Sequence, residues 1–432
     1  MKRILVIGSG GREHAIVWSL RKTSPHPLEL FCAPGNAGID QLAQLVNVSV
    51  NDHAELAQFV HANDIDLTFV GPEAPLTAGI VDEFEAKGLP IVGPSAAASR
   101  LEGSKIFAKD FMSRHRIPTA AYRVADSPAQ ARDFLRSGEF GGAESAVVIK
   151  ADGLAAGKGV VVAATRAEAE TAVDDLMVRN VAGNTAAQRV VIEEALVGTE
   201  ASLLLFCDGR DYALMPPARD HKRIGDNDTG PNTGGMGSIT DASVLDQATL
   251  GRAVREIVEP TLAGARKEGF AFKGILFLGL MLTAEGPKLL EYNVRFGDPE
   301  TQAILIRLKT DLSSVFESMR NETLGQLKLE WAGGASACVV AANRGYPGKY
   351  ESGAEIEGLE RVASSRVQVF HAGTGLDPNG RFIATGGPVL GLTAAAENLP
   401  GALELCYGAL KEVHWPGMQF RTDIGGPPRP SA

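Results

Sequence analysis

The sequence has few cysteines, lacks long apolar runs and shows no excess of positive charge. Its 432 residues include 4 cysteines, far apart and without a CxxC pair, which indicates reduced, buried thiols and neither a disulfide framework nor a zinc site. The longest apolar stretch of note, 274–282, is far below the ~18 residues that a membrane span needs. Lys and Arg number 42 against 52 Asp and Glu, so the net charge of −10 argues against a nucleic-acid partner.

The length and the ordinary globular composition predict about three domains. The N-terminal third alternates short apolar runs with helical stretches, which is typical of a parallel sheet covered by helices. Because the first apolar run, 4–7, ends at Gly8, we expect a strand there and not a signal peptide, hence a cytoplasmic protein with no membrane partner. Hairpin patterns follow from about residue 147, and a third region begins near residue 327.

These patterns predict a mixed α/β and α+β multidomain fold. We expect an N-terminal parallel α/β domain over 1–102 that binds a substrate phosphate, and a core of two α+β lobes over 103–326. The small lobe of that core, at about 120–190, is expected to be mobile, and a small C-terminal α+β domain covers 327–432.

A glycine-rich turn, Gly8-Ser9-Gly10-Gly11-Arg12-Glu13, joins the first strand to a helix. Glu13 replaces the third glycine of a dinucleotide-binding fingerprint, and the second strand ends without an acidic residue for a ribose, so a dinucleotide is disfavoured. Backbone N–H groups at a helix N-terminus beside Arg12 suit one phosphate group. A tight turn without a ligand stays open as the alternative.

A second loop of small residues, 150–159, superficially suggests a Walker loop. Three residues separate Gly153 from Gly157, and Gly159 stands where Ser or Thr must bind magnesium, so the motif fails. We expect instead a flexible connection between two antiparallel strands that folds over a triphosphate, with Lys150 as a fixed positive charge. A mobile surface hairpin is the alternative.

The segment 289–296 predicts a strand with one apolar and one polar face. With a two-residue period the apolar face holds Leu290, Tyr292, Val294 and Phe296, and the polar face holds Glu291, Asn293 and Arg295. Glu291 and Asn293 offer the oxygen ligands that Mg²⁺ prefers, and Arg295 can bind a carboxylate or a phosphate. The alternative is an exposed sheet face with a solvated Glu–Arg pair.

A long loop, 219–237, mixes charged residues with glycines. Its first part is Arg219-Asp220-His221-Lys222-Arg223, and the segment 226–237 follows. Charge runs are often only solvated, but long loops inside compact domains tend to be functional, and this one could hold an anionic substrate.

Together these segments resemble the ATP-grasp ligases, and within them the phosphoribosylamine–glycine ligase family of purine biosynthesis. Besides the turn, the loops and the strand described above, the resemblance rests on the segments 33–38, 70–76, 101–105, 295–302 and 371–374. It covers nearly the whole chain and implies that 103–326 forms an ATP-grasp core.

The resemblance implies one reaction. ATP, glycine and 5-phosphoribosylamine give glycinamide ribonucleotide, ADP and phosphate through a glycyl phosphate, with Mg²⁺ or Mn²⁺ as the cofactor. These small molecules are the only expected partners, and a monomer is expected.

The resemblance also implies roles for individual residues. ATP would contact Lys105, Lys150, Gly153, Gly157, Lys158, Gly159, the hinge Glu193, Glu194, Ala195 and Leu196, and Glu200 at the ribose. The other substrates would contact Gly10, Gly11, Arg12, Asn36, His221, Lys222, Arg223, Asn232, Gly234, Gly235, Met236 and Arg295. Glu291 and Asn293 would bind the metal ion, and Arg295, Lys150 and Asp220 would act in catalysis.

Three other functions compete with this one. Another ATP-grasp carboxylate–amine ligase, or a carboxylase that binds bicarbonate, is the nearest, although no Met-Lys biotin-attachment segment occurs in the sequence. A nicotinamide dehydrogenase is disfavoured by Glu13. A non-catalytic nucleotide-binding module is disfavoured by the full set of metal and phosphate candidates.

Overall fold

A computed structural model describes residues 1–154, 159–181, 189–362 and 366–427. The N-terminal strands are β1 (Lys2–Gly8), β2 (Leu28–Pro34), β3 (Gln44–Leu45), β4 (Leu67–Val70) and β5 (Ile91–Val92). They form the predicted parallel sheet in the order β3-β2-β1-β4-β5. Residues 4–7 of the central strand are fully buried, as a strand covered on both faces requires. The accompanying helices are α1 (Gly11–Thr23), α2 (His53–Ala62), α3 (Glu73–Thr77), α4 (Ile80–Ala86) and α5 (Ala96–Gly103).

The small lobe is an antiparallel sheet with helices on one face. Helix α6 (Lys105–Arg114) leads into it and begins after Ser104, whose hydroxyl caps the helix by accepting from the Phe107 N–H at 3.1 Å. The strands β6 (Tyr122–Ala125), β7 (Val147–Ala151), β8 (Val160–Ala163) and β9 (Val190–Glu194) pair in the order β6-β9-β7-β8. The helices are α7 (Pro128–Arg136) and α8 (Arg166–Val173), the latter extended by a π-helical turn over Asp174–Val178.

The rest of the chain is organised around one large sheet. Its first strands are β10 (Thr199–Asp208), β11 (Tyr212–Leu214), β12 (Ala218–Asp220), β13 (Arg223–Gly225), β14 (Thr229–Asn232), β15 (Gly237–Thr240), β16 (Lys273–Thr283) and β17 (Gly286–Asn293), of which β13 and β14 form a separate hairpin. The helices nearby are α9 (Gln247–Ala253), α10 (Glu259–Lys267), α11 (Glu300–Leu305) and α12 (Leu312–Arg320), with a π-helical turn over Val254–Val258.

Four of the C-terminal strands continue this sheet, and three form a small sheet of their own. The first group is β18 (Ala335–Asn343), β20 (Gln368–His371), β23 (Pro388–Ala396) and β24 (Met418–Gln419). The second group is β19 (Ala354–Glu355), β21 (Thr374–Leu376) and β22 (Phe382–Ala384), in the order β19-β22-β21. The helices are α13 (Leu359–Val362) and α14 (Leu399–Leu410). The sheet runs β17-β16-β10-β12-β15-β18-β23-β20 and so crosses the predicted boundary at 326/327. The divisions at 102/103 and 326/327 stay predictions.

The structure refines the strand that carries the predicted polar face. Strand β17 ends at Asn293, and a bulge pairs Gly279 with Glu291 but Leu280 with Leu289. Leu290 therefore leaves the apolar face to which the sequence assigned it, and it packs with Leu196 near the hinge. The prediction for Leu290 is wrong.

Two predictions from composition can be compared with the structure directly. All four cysteines are buried and free, as expected. No helix among the described residues is long and apolar enough to cross a membrane.

Candidate active site

The predicted metal ligands lie at the end of β17, beside two cationic side chains. Lys105, at the start of α6, places its Nζ 2.8 Å from Glu291 Oε2. The Lys105 ammonium, together with other nearby lysines, holds the pKa of Glu291 well below its usual range, so this carboxylate is ionised. Asn293 Oδ1 accepts a hydrogen bond from Arg295 Nη2 at 3.4 Å. The structure thus brings Glu291, Asn293 and Arg295 together, and their roles stay predictions.

A buried lysine of the small lobe contacts the same strand, β17. Lys150, on β7, donates to Glu193 Oε2 at 3.1 Å and to the Leu290 carbonyl at 3.2 Å. Glu193 is 1% exposed and is also paired with Lys109 at 2.9 Å. The structure therefore brings two predicted ATP ligands together and adds Lys109, to which the sequence analysis gave no role.

The predicted adenine hinge borders a cavity of about 700 Å³ on the small lobe, which the β13–β14 hairpin also lines through Arg223. Glu194 Oε1 accepts from the Ala121 N–H at 2.9 Å, which anchors the hinge to β6. Leu196, at the end of the hinge, packs with Leu290 of β17. The cavity is lined by Val162, Glu194, Ala195, Val197 and Arg223, among others.

The loop predicted to cover the triphosphate is described only at its ends. Gly153 has φ +127°, in the region that favours glycine. Gly159 accepts a hydrogen bond from the Ala151 N–H at 2.7 Å, which begins the β7–β8 pairing. The predictions for Gly157 and Lys158 fall outside the described residues.

Arg295 lies within a ring of carboxylates. Its guanidinium is 3.0 Å from Glu102 Oε1 and 3.4 Å from Glu73 Oε2. Although burial disfavours the charged form, Glu102 and Glu73 raise the pKa of Arg295 above its ordinary value. Burial raises the pKa of Glu102, whereas Arg295 outweighs burial and lowers that of Glu73. Arg295 is therefore a fixed cation whose orientation is set by two acidic residues.

The glycine-rich turn is occupied by acidic side chains. The Gly10 N–H donates to Glu13 Oε2 at 2.7 Å, and the Arg12 N–H donates to Asp298 Oδ2 at 3.2 Å. The Arg12 side chain is turned inward, donating to Glu13 Oε1 at 2.5 Å and to the Phe296 carbonyl. A Cβ on Gly11 would lie 2.7 Å from Gln302 Nε2, so this turn has no spare room. A phosphate on these N–H groups would meet two carboxylates as the side chains stand, and the substrate contacts expected of Gly10, Gly11 and Arg12 stay predictions.

Asn36 supports the turn with its side-chain amide. Its Nδ2 donates to the carbonyls of Ser9 at 2.8 Å and His371 at 2.9 Å. Its Oδ1 accepts from the Gly38 and Ile39 N–H groups. Both donors and both acceptor sites of the amide are thus used inside the protein, and the substrate contact of Asn36 stays a prediction.

The loop 219–237 brings a carboxylate and a lysine to the site. Lys222 Nζ is 2.7 Å from Glu200 Oε2, and Glu200 raises the Lys222 pKa strongly. Burial raises the pKa of Asp220, and the neighbouring Glu300 adds to the effect. Asp220 Oδ1 is buried without a hydrogen-bond partner among the described residues, so it is available to a donor. Glu300 accepts from Ser202 at 3.3 Å.

Two residues of this loop are structural. Met236 is fully buried, its N–H donates to the His221 carbonyl, and its carbonyl accepts from Val340. His221 Nε2 accepts from the Gly425 N–H at 3.0 Å, and burial lowers its pKa to about 4. The Met236 and His221 side chains are therefore used inside the protein, and the substrate contacts of these two residues stay predictions.

The remaining predicted residues shape the loop. Arg223 faces Asn232 across the β13–β14 hairpin, and its Nη1 donates to the Gly230 carbonyl. The Gly234 N–H donates to Tyr346 Oη at 2.8 Å. Gly235 has φ +126°, and a Cβ there would lie 2.4 Å from Pro299, so only glycine fits.

A C-terminal segment that the sequence analysis did not use holds this loop in place. Arg421 is 1% exposed and binds Asp228 at 2.7 Å, Asp423 at 2.8 Å and the Arg223 carbonyl at 3.1 Å. The Asn227 N–H donates to Asp423 Oδ2 at 2.8 Å. The loop is thereby attached to the last described strands of the chain.

Glu73 and Glu102 were missed, although both lie in segments, 70–76 and 101–105, that carry the family resemblance. Glu73 follows Gly71-Pro72 at the start of α3, and Glu102 precedes Gly103 at the end of α5, so a nearby glycine at a helix end was the available signal. Lys109, Tyr346 and Arg421 offer no such signal, because their partners are distant in sequence.

Comparisons with known proteins identify the family. The models of phosphoribosylglycinamide synthetase match its N domain over residues 2–102, its ATP-grasp (A) domain over 103–301 and its C domain over 336–427. A protein named phosphoribosylamine–glycine ligase from Caldanaerobacter subterraneus is 46% identical over 422 residues, 98% of this chain and 99% of the relative. The trifunctional purine biosynthetic protein adenosine-3 of Gallus gallus is 47% identical over 426 residues, 98% of this chain and 42% of the relative.

Solved structures agree. The crystal structure of phosphoribosylamine–glycine ligase from Thermotoga maritima has a TM-score of 0.84 and 33% identity and covers 98% of this chain and 99% of its own. The biotin carboxylase domain of the Hydrogenobacter thermophilus 2-oxoglutarate carboxylase, with a TM-score of 0.71 over 97% of this chain and 91% of its own, is 14% identical and so shows a shared fold alone. The mixed α/β, ATP-grasp fold class is confirmed. The chain belongs to the phosphoribosylglycinamide synthetase family.

Proposed function

We propose that the chain is an ATP-dependent ligase that joins glycine to 5-phosphoribosylamine, giving glycinamide ribonucleotide, ADP and phosphate in purine biosynthesis. The proposal rests on one observation: a chain that matches the family over its full length also holds a buried site in which Lys105, Lys150 and Arg295 surround the carboxylate and amide oxygens of β17. Those cations suit the transfer of a phosphoryl group, which requires charge stabilisation and positioning more than covalent help.

The chemistry has two steps. A glycine carboxylate oxygen bonds to the γ-phosphorus of ATP while the bond to the β,γ-bridging oxygen breaks, and ADP leaves. The amine of 5-phosphoribosylamine then bonds to the carbonyl carbon of glycyl phosphate, the bond from that carbon to the phosphate oxygen breaks so that phosphate leaves, and the amine passes a proton to the carboxylate of Asp220. Lys105 and Lys150 neutralise the transferred phosphoryl group, Arg295 orients the glycine carboxylate, and the free Oδ1 of Asp220 accepts from the amine.

The reaction requires a divalent metal ion, which we propose to be Mg²⁺ or Mn²⁺. Glu291 is ionised and Asn293 offers an amide oxygen, and this pair fits a hard cation that takes its other ligands from phosphate oxygens and water. Among the described residues no cluster of three or more His, Cys, Asp or Glu side chains could hold a metal ion. When bound, the ion neutralises charge on the phosphates.

The acidic turn suggests which part of 5-phosphoribosylamine lies beside it. Glu13 and Asp298 already receive the N–H groups of the turn, so the carboxylates can also accept from ribose hydroxyls or from an amine, but they repel a phosphate. We therefore assign the sugar and amine end of the substrate to the turn formed by Gly10, Gly11 and Arg12.

The nucleotide is assigned to the cleft between the lobes. The backbone of Glu193–Leu196 would bind adenine, Glu200 the ribose, and the ends of the loop at Gly153 and Gly159 the phosphates. Lys222, Arg223, Asn232, Gly234 and Gly235 would close over the reacting groups. We also propose that the protein is cytoplasmic and that it is a monomer. Sedimentation of the purified protein would test the oligomeric state.

The decisive experiment measures ADP release in the presence of ATP and Mg²⁺, with glycine and freshly generated 5-phosphoribosylamine added separately and together. ADP formed only when both are present, with glycinamide ribonucleotide as the product, is the expected result. ADP release stimulated by bicarbonate instead would favour the carboxylase. A folded protein that binds ATP without turnover under any of these conditions would be a binding module.

A further inference from the structure

A second lysine shares the buried carboxylate of Glu193. The Nζ of Lys109, on α6, is 2.9 Å from Glu193 Oε2, and the Nζ of Lys150, on β7, is 3.0 Å from Glu193 Oε1. The side chains of Lys109 and Lys150 are 3% and 7% exposed, and that of Glu193 is 2% exposed. Three charged groups are thus withdrawn from water at the point where the small lobe meets the large sheet.

Lys109 is fixed by further contacts. Its Nζ donates to Thr119 Oγ1 at 2.7 Å, and that hydroxyl donates to the Leu289 carbonyl at 2.6 Å. The Leu289 N–H in turn donates to the Pro118 carbonyl at 2.7 Å. Lys109 is therefore bound on one side to the small-lobe strand β9 and on the other to the strand that carries the metal ligands.

The charges of this cluster do not balance. One carboxylate faces two ammonium groups, so the cluster carries one surplus positive charge. A buried surplus charge is costly unless an anion compensates it. Lys150 belongs to β7, the strand that leads into the 150–159 loop, whereas Lys109 belongs to helix α6. Lys150 is therefore the cation that we expect to meet an anionic ligand.

We propose that Lys109 is a positioning residue for ATP: it serves as the permanent counter-ion of Glu193, which leaves Lys150 free to transfer its charge from Glu193 to the phosphates of the nucleotide. The inference deepens the proposed function and rests on it, since it takes ATP to be the ligand. Without Lys109, Glu193 would retain Lys150, and the departure of Lys150 would leave a buried carboxylate unpaired.

The test measures ATP binding by calorimetry, without the other substrates, and then the steady-state constants. Lys109→Met removes the charge and keeps most of the chain length. We expect the dissociation constant and the KM for ATP to rise about tenfold or more, with kcat within about twofold. A purely structural role would lower stability without this division between KM and kcat. Lys2→Met, which removes a surface lysine paired with Glu317, is the matched control.

Lys109→Arg makes the argument specific. It keeps a positive charge beside Glu193, so we expect its ATP affinity to lie closer to that of the wild type than to that of Lys109→Met. A Lys109→Met variant that binds ATP as the wild type does, or a Lys109→Arg variant that binds ATP no better than Lys109→Met, overturns the inference. If the wild type itself does not bind ATP, the proposed function fails as well.

A second measurement covers the case in which Lys109→Met does not fold. Burial lowers the pKa of Lys109 to about 8. Glu193 opposes this shift, whereas Lys150 and Lys105, one turn away, add to it. The Tyr122 ring lies 5.9 Å from the Lys109 Nζ. Between pH 7 and pH 9 the wild type should lose about tenfold in ATP affinity as Lys109 loses its proton. Lys109→Arg, which stays charged, should not. Equal pH profiles for the two proteins would refute the role of Lys109.

Discussion

Acid should weaken the contact between the N-terminal turn and the C-terminal strands, and the reason is one buried histidine. His14, on α1, accepts a hydrogen bond at Nδ1 from the backbone N–H of His371 at 2.8 Å, so that nitrogen carries no proton. The residue is 3% exposed, and its ring meets Phe370 edge-on at 5.6 Å. Burial, with the His371 ring nearby, lowers the pKa of His14 from 6.5 to about 3.

The sign and size of the effect follow from linkage. Because the folded state holds His14 neutral, its stability is intact above pH 6.5 and falls as the pH drops below that value, where the unfolded chain takes up a proton and the folded chain does not. The loss continues until the folded pKa near 3 is reached. At pH 5 it amounts to about 2 kcal/mol of unfolding free energy for this residue alone.

The assay compares the wild type with His14→Asn. Asparagine offers an oxygen near the position of Nδ1, accepts the same hydrogen bond and does not titrate. Urea unfolding followed by circular dichroism at pH 7 and pH 5 gives the change for each protein, and we expect the wild type to lose about 2 kcal/mol more than the variant. His26→Asn, at an exposed position, should behave as the wild type. Equal losses for the wild type and His14→Asn would refute the reasoning.

Three further substitutions test the site. Glu291→Gln should slow ADP formation about a hundredfold and raise the Mg²⁺ requirement; an unchanged rate removes Glu291 from the metal site. Arg421→Met should raise the KM for glycine and lower the free energy of unfolding by ~2 kcal/mol, because the ion pair that attaches the 219–237 loop to the C-terminal segment is lost. Arg344→Met, at an exposed position, should change neither quantity. Gly235→Ala should abolish activity, since φ is +126° and a Cβ would lie 2.4 Å from the neighbouring proline; Gly142→Ala, with open space, is its control, and equal activities would contradict the steric argument.

The sequence predicted best where a pattern is local. A two-residue period suffices to bury Tyr292 and to bring Glu291 and Asn293 to a common polar edge, because side chains alternate along any strand. The same rule fails at Leu290. The bulge there depends on the register with β16, and neither strand displays that register in its own sequence.

Contacts between distant segments are the part of the site that local patterns do not predict. Asn36 resembles an exposed loop residue, but its amide is saturated partly by the His371 carbonyl, which lies 335 residues away. Met236 sits in a glycine-rich loop, yet the pairing of β15 with β18 places it inside the sheet. Turn composition predicts that a loop exists and not which of its side chains face the cleft.

The continuous sheet gives the C-terminal region a part in the reaction without a catalytic residue of its own. Through His371 it fixes the turn at which we place the sugar of 5-phosphoribosylamine, and through Tyr346 and Arg421 it fixes the loop that carries Asp220. The turn and the loop are therefore both attached to one sheet, β12-β15-β18-β23-β20. A displacement of the sheet would move the two segments together, which would keep the distance between the amine and the acyl phosphate of the proposed reaction.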